Sequence, residues 1–404
     1  MNSLSLCGAR PGVLPGGESR PAAPGESGEV PAVSSEAKPI GLYVHVPFCD
    51  GKCPYCDFYS IRGTQSAMDD YTDSIIEQID SYGKRLGRSA DTLYFGGGTP
   101  NLLGAARLNR ILAAARKRFG LENAEITAEV NPSADPGDFF RELRAGGFNR
   151  ISIGLQSADD EELRLLGRRH TAAQAARSVE AAEKAGFGNL SLDLMLAVQG
   201  QTEKSLARSI AFCPELGARH VSAYLLQIEP GTVYAKNRER LDLPGEEKAA
   251  SLYLFAVSEM KKYGYAQYEI SNFAQPGFES RHNLKYWHCG EYLGLGPSAH
   301  SFVDGQRFHY ERSLRDFLSG KPTVSDGAGG GFEEYAMLRL RLTEGLSDAD
   351  CLARFGHPVP ERMKRAARLY EKRGLTVRTE DGFHFTPEGF LLSDRLTAEI
   401  LFAK

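Results

Sequence analysis

From residue 40 the chain repeats one pattern six times: a short apolar run, then an amphipathic stretch. Runs over 42–46, 92–95, 125–130, 150–154, 190–195 and 220–226 predict strands. Stretches over 68–82, 102–119, 136–145, 161–166, 172–185 and 202–215 carry the three-to-four spacing of helices. Glycines 146, 147 and 186 stand where helices should end, and Asp135 before Pro136 reads as a cap followed by a first-turn proline. Strand–helix units in succession force parallel strands joined by right-handed crossovers. A closed barrel of this kind takes eight units, so six predict a partial (β/α)6 barrel or an open sheet. In either form, ligands belong at the C-terminal ends of the strands.

The loop after the first strand carries the densest chemistry. Residues 45–60 read HVPFCDGKCPYCDFYS, with Cys49, Cys53 and Cys56 spaced C-x3-C-x2-C. Pro47 and Pro54 stiffen this loop, and Gly51 lets it turn. Thiolates are soft ligands that suit zinc or iron–sulfur clusters. A four-iron cluster usually takes four cysteines, so three leave one iron open to hold a substrate. Structural zinc needs a fourth ligand and usually a second ligand pair; His45 lies close, but no second C-x2-C follows. A disulfide is disfavoured, because Cys7, Cys213, Cys289 and Cys351 are scattered singly and no secretory signal precedes them. Such cysteines point to a reducing, intracellular compartment, and we expect a cytoplasmic protein.

At 404 residues the chain suits two or three domains. Residues 1–38 are rich in Gly, Pro, Ser, Ala and Glu and read as a disordered tail or an over-extended gene start. A barrel is expected over 39–235 and a connecting segment over 236–326. Within that segment, 243–263 predicts a long helix and 265–270 a short strand, whereas 281–302 is aromatic- and glycine-rich and matches no simple element. Four glycines in 327–331 mark a linker. Beyond it, helices over 332–342, 347–355, 360–373 and 388–401 and a hairpin over 376–378 and 383–385 predict a small winged-helix-like domain, 332–404. A net charge of −4 without a basic stripe argues against nucleic-acid binding, and no apolar stretch is long enough to span a bilayer.

Further signatures sit at the strand ends. Gly96-Gly97-Gly98-Thr99-Pro100 follows the second strand, where bare backbone allows close approach and offers N–H donors to a carboxylate or ribose. Glu129 ends the third strand, Gln156 follows the fourth, and Asp193 lies within the fifth, costly there unless paired or functional. Arg168 can reach a carboxylate; Arg169 reads as a surface residue.

Together, Tyr43-x-His45-x-Pro-Phe-Cys49-x3-Cys53-x-Tyr55-Cys56, the glycine loop, Glu129, Gly154-x-Gln156 and Leu192-Asp193-Leu194 resemble the radical S-adenosylmethionine family. The nearest branch is oxygen-independent coproporphyrinogen III oxidase and its relatives, and the resemblance runs from residue 40 to the C-terminus. It implies a partial (β/α)6 radical SAM barrel with a [4Fe-4S] cluster on Cys49, Cys53 and Cys56. In that family the methionine amine and carboxylate of S-adenosylmethionine chelate the open iron, and reduction cleaves the sulfonium. By position, Tyr43, Tyr55, Gly97, Gly98, Thr99, Glu129, Gln156, Arg168 and Asp193 match family residues that line S-adenosylmethionine, with Gln227 and His300 at peripheral positions.

The oxidases resemble C-x3-C-x2-C-x-C, whereas this chain has Phe58 at the further cysteine position. His282-Asn283-Leu284-Lys285-Tyr286-Trp287 is instead similar to the H-N-x-x-Y-W signature of the heme chaperone branch (HemW type). There the resemblance implies heme ligation by His282, with Asn283, Tyr286 and Trp287 completing the heme site; the bland alternative is a buried aromatic corner with a hydrogen-bonded histidine. The family usually reads Gly-Leu-Pro-x-Gln-Thr after the fifth strand, but here Ala197 and Gln199 replace the glycine and proline, next to the expected S-adenosylmethionine pocket. The sequence thus predicts a monomeric or dimeric heme chaperone that delivers heme to an acceptor hemoprotein, respiratory and membrane-associated hemoproteins included. Its rivals are a coproporphyrinogen III oxidase, a radical enzyme acting on RNA and a structural zinc protein.

Overall fold

The computed structural model describes residues 38–132 and 136–403. The tail expected over 1–38 lies almost wholly outside them, as does Asp135.

Six parallel strands, β1 (Ile40–Val46), β2 (Ala90–Gly97), β3 (Gly120–Val130), β4 (Arg150–Gln156), β5 (Leu190–Leu196) and β6 (His220–Leu225), pair in sequence order. Between them run α1 (Gln65–Leu86), α2 (Ala105–Phe119), α3 (Phe139–Gly146), α4 (Asp160–Leu165), α5 (Ala172–Lys184) and α6 (Glu203–Glu215). Local signals set these boundaries. The Thr64 hydroxyl caps α1, Gly87 ends it at φ +58°, and Met68, Tyr71, Ile75, Ile79 and Tyr82 form its buried stripe. Thr171 with Gln174 and Thr202 with Ser205 form capping boxes on α5 and α6. The expected start of α3 moves: Gly137, at φ +52°, breaks the turn after Pro136, and Asp138 takes the N-cap position.

The sheet is open, as six units require, and residues 236–326 are part of it rather than a connector. After α7 (Val233–Lys236) and α8 (Glu246–Lys262), β7 (Ala266–Glu269) and β8 (Asn272–Ala274) add antiparallel strands beyond β6. Then α9 (Arg281–Trp287) leads to β9 (Tyr292–Leu295), which pairs parallel with β1 on the opposite edge. Strands β10 (His300–Val303), β11 (Gln306–His309) and β12 (Val324–Ala328), with α10 (Leu314–Leu318) before β12, complete a twelve-stranded sheet. These strands are three to five residues long, too short for a period to stand out in the sequence.

The C-terminal module holds α11 (Phe332–Arg339), α12 (Asp348–Phe355), α13 (Glu361–Glu371), α14 (Pro387–Leu391) and α15 (Ser393–Leu401). A three-stranded sheet joins β13 (Leu346–Ser347) to the expected hairpin, β14 (Thr376–Arg378) and β15 (Gly382–Phe385). Among the described residues no helix is long and apolar enough to cross a membrane.

Candidate active site

Parallel pairing of β1 with β2 sets His45 opposite Gly96 and Val46 opposite Gly97, so the cysteine loop and the glycine loop leave the sheet side by side. The glycine-loop donors are spent within the protein. Gly98 N–H donates to Val46 O (2.8 Å), Thr99 N–H to Phe48 O (2.7 Å) and Gly97 N–H to Glu129 Oε2 (3.3 Å). This corrects the expectation of donors free for a ligand; the glycines are needed for space. A Cβ on Gly98 would sit 2.5 Å from the Phe48 carbonyl oxygen, and one on Gly97, at φ +104°, 2.6 Å from the His45 ring.

Cys49, Cys53 and Cys56 are half-buried and line one cavity of about 370 Å³ at the C-terminal ends of the strands. The Thr99 hydroxyl lies 3.4 Å from Cys49 Sγ, and Arg168 Nη1 donates to Cys53 Sγ at 3.4 Å. Burial pushes the free Cys56 thiol up to about 11, so iron must displace its proton on binding. Around one tetrahedral zinc, sulfurs at about 2.3 Å would stand only about 3.8 Å apart. The three thiols are not gathered within 4.8 Å of one another, wider than one tetrahedral ion takes, and three soft thiolates are a donor set that suits an iron–sulfur cluster.

The other residues expected to line S-adenosylmethionine, His300 excepted, face the same cavity. Tyr94 O–H donates to Glu129 Oε1 (2.8 Å); burial, with the Asp193 carboxylate adding, pushes Glu129 up to about 7. Burial also raises Asp193, opposed by hydrogen bonds from Ser222 and Ser152. Gln156 ends β4 at φ +67° and lines the cavity with Tyr55 and the exposed Gln227. Beside Tyr43, burial holds His45 down at about 4; its Nε2–H donates to Tyr59 O (2.9 Å) and its Nδ1 accepts from the Tyr43 hydroxyl (3.1 Å). Asn131, which the sequence reading passed over, links Thr99 Oγ1 (2.8 Å) to Arg168 Nη2 (2.8 Å). Its one signal was its place two residues after Glu129, before Pro132.

Two expectations are corrected. His300 does not line the cavity; it sits on β10 beside His309 and Asp326. The His282 motif lies at the closed, N-terminal end of the barrel. The His282 backbone N–H donates to Glu125 Oε1 (3.0 Å), and its ring is buried and stacked 5.2 Å from Tyr94. Both ring nitrogens are engaged, Nδ1 with Thr92 Oγ1 (2.8 Å) and Nε2 with the Tyr286 hydroxyl (2.7 Å), and burial holds the imidazole down at about 3. In this conformation no nitrogen is open to heme iron. Trp287 is buried under the Arg341 guanidinium, 5.6 Å from the ring centroid, so it has no face to offer a porphyrin. Asn283 N–H is capped by Ser280 Oγ. The motif forms a polar plug, continued by His220, whose nitrogens meet Ser191 Oγ (2.7 Å) and the Tyr268 hydroxyl (2.8 Å).

After β5, Ala197 holds φ +57° where the family pattern has glycine, fixed by Gln201, whose Oε1 accepts from Ala197 N–H (2.7 Å) and whose Nε2 donates to Met195 O (3.0 Å). A left-handed non-glycine residue costs roughly 1–2 kcal/mol. Ala197→Gly is therefore expected to raise stability by about 1 kcal/mol, read as an upward shift of the thermal unfolding midpoint.

Residues 43–213 match the radical SAM superfamily, the class that the open barrel and three-thiol cavity define, and residues 332–392 match the HemN C-terminal domain. This class implies a [4Fe-4S] cluster and S-adenosylmethionine. The chain is 38% identical to the heme chaperone HemW of Lactococcus lactis, over 71% of this chain and 76% of that protein. It is 32% identical to HemW of Bacillus subtilis, over 89% and 98%. It is 36% identical to the mouse mitochondrial radical S-adenosyl methionine domain-containing protein 1, over 88% and 76%. The chain belongs to the HemW heme chaperone family. Its fold matches that of Escherichia coli coproporphyrinogen III oxidase (HemN), with a TM-score of 0.77 at 24% identity over 90% of each chain.

Proposed function

We propose that the protein is a cytoplasmic heme chaperone that binds heme and passes it to an acceptor hemoprotein, membrane-bound respiratory hemoproteins included. The likeness to HemW over most of the chain carries this reading. Phe58 supports it: the oxidase pattern has a further cysteine there, and here a half-buried phenyl ring lines the cavity. The reading does not rest on His282, which would ligate heme only if α9 left the barrel floor. Hemin titrated into the full chain is expected to give a saturable Soret shift; a linear, unsaturating response would contradict the proposal.

In this reading Cys49, Cys53 and Cys56 hold the cluster, and S-adenosylmethionine lies against Tyr43, Tyr55, Glu129, Gln156, Arg168 and Asp193, with Gln227 at the rim. When bound, the reduced cluster supplies an electron to the sulfonium. The chain's own part is to set charge. Arg168 places a cation beside Cys53, and Glu129 with Asp193 places buried acids where a cationic ligand is favoured. With burial pushing Glu129 up to about 7, its deprotonation through neutral pH should favour the cationic ligand. Affinity for S-adenosylmethionine is expected to rise, by up to about tenfold, between about pH 6 and 8, and Glu129→Gln should flatten that profile. A wild-type profile flat across this window, measured by calorimetry, would remove Glu129 from the site.

A further inference from the structure

Beyond β9, the sheet gathers a second set of metal-type donors, separate from the three cysteines. Strand β10 pairs antiparallel with β11, which places His300 directly opposite His309 on one face, their rings 4.9 Å apart. The pairing of β11 with β12 slips between Arg307 and Phe308: Arg307 faces Gly327 and Phe308 faces Ser325, which leaves Asp326 as the extra residue of a bulge. Bulges re-aim a side chain, and this one turns the Asp326 carboxylate onto the two imidazoles. Asp326 Oδ2 lies 2.9 Å from His309 Nδ1 and 3.7 Å from His300 Nδ1, and the three ligand atoms all lie within 4.8 Å of one another. Among the described residues this is the one group of three or more His, Cys, Asp or Glu gathered so closely.

We infer that His300, His309 and Asp326 form a mononuclear site for a divalent first-row metal ion such as Zn2+. Donors at about 2.0–2.2 Å from a tetrahedral zinc stand about 3.4 Å apart, which these spacings approach with small side-chain rotations. Two histidines and a carboxylate are a borderline-soft set that suits zinc or ferrous iron over calcium or magnesium. All three side chains keep 21 to 25% exposure, so an ion can enter from solvent and water can fill its remaining positions. The nearby Arg307 guanidinium is drawn off by Glu334 at 2.5 Å, which lessens its repulsion of a cation. The register sets this site on the face of the sheet that lines the barrel. Tyr43 pairs with Gly294, Tyr292 with Phe302, and His300 stands two residues before Phe302.

The test is equilibrium dialysis of the cluster-reconstituted full chain against Zn2+, with zinc and iron both measured per chain. About one zinc per chain is expected beside an unchanged iron content. Asp326→Asn, at an exposed position, and His309→Gln, at a half-buried one, should each bind zinc about tenfold or more weakly while keeping their iron. Retained iron shows that each variant is folded. A wild-type protein that takes up no zinc, or variants that retain zinc as tightly as wild type, would overturn the inference. Zinc gained only as iron is lost would place the ion at the cysteines and overturn it equally.

Discussion

Cys53→Ala, and equally Cys49→Ala or Cys56→Ala, is expected to abolish cluster assembly, with iron after anaerobic reconstitution falling from roughly four per chain to near zero. The three thiols face one cavity and no fourth cysteine lies among its lining residues, so no neighbour can substitute for a lost ligand. S-adenosylmethionine binding should fall with the iron. The fold should survive, because backbone bonds hold the loop without metal: Cys49 N–H to Ile61 O (2.9 Å), Ile61 N–H to Pro47 O (2.8 Å) and Thr99 N–H to Phe48 O. Unchanged far-ultraviolet circular dichroism with lost iron absorbance is the expected pair of readings. A variant that keeps its full iron content would remove that cysteine from the ligand set.

His282→Ala is expected to cost about 3–5 kcal/mol of stability. The side chain is buried, and its loss leaves the Thr92 and Tyr286 hydroxyls without that partner and removes a ring stacked on Tyr94. The melting temperature should drop by several degrees. Iron content should hold, since the cysteines sit at the other end of the strands. The plug account and the heme-ligand account separate cleanly here. A ligand with no structural part would leave the melting temperature unchanged and abolish the Soret shift, and that outcome would contradict the plug.

The barrel was legible because its period is strong: each of the six parallel strands begins within five residues of its expected start, as do the helices between them. The site was legible for a related reason. Cys49, Cys53, Cys56, Glu129 and Gln156 mark the C-terminal ends of strands or the loops just beyond, Asp193 stands out as an acid inside an apolar strand, and parallel pairing brings all six to one cavity. What stayed hidden depends on tertiary partners. Strand β8 pairs with distant β6 and β9 with distant β1, which no local period announces, and the β10–β11 hairpin turns on Asp304-Gly305 between strands of only four residues. His282 in an aromatic motif reads alike as ligand or plug until Thr92 and Tyr286 are seen on its two nitrogens. The Asp326 bulge is a register slip that no local residue pattern announced.

The central claim, a chaperone rather than an oxidase, is tested most directly on the anaerobically reconstituted protein with coproporphyrinogen III, S-adenosylmethionine and reductant, beside a matched sample given hemin. The account predicts a Soret shift with hemin and no conversion of the porphyrinogen. Porphyrinogen decarboxylation coupled to stoichiometric 5′-deoxyadenosine would contradict it and make Phe58 a tolerated replacement within an oxidase.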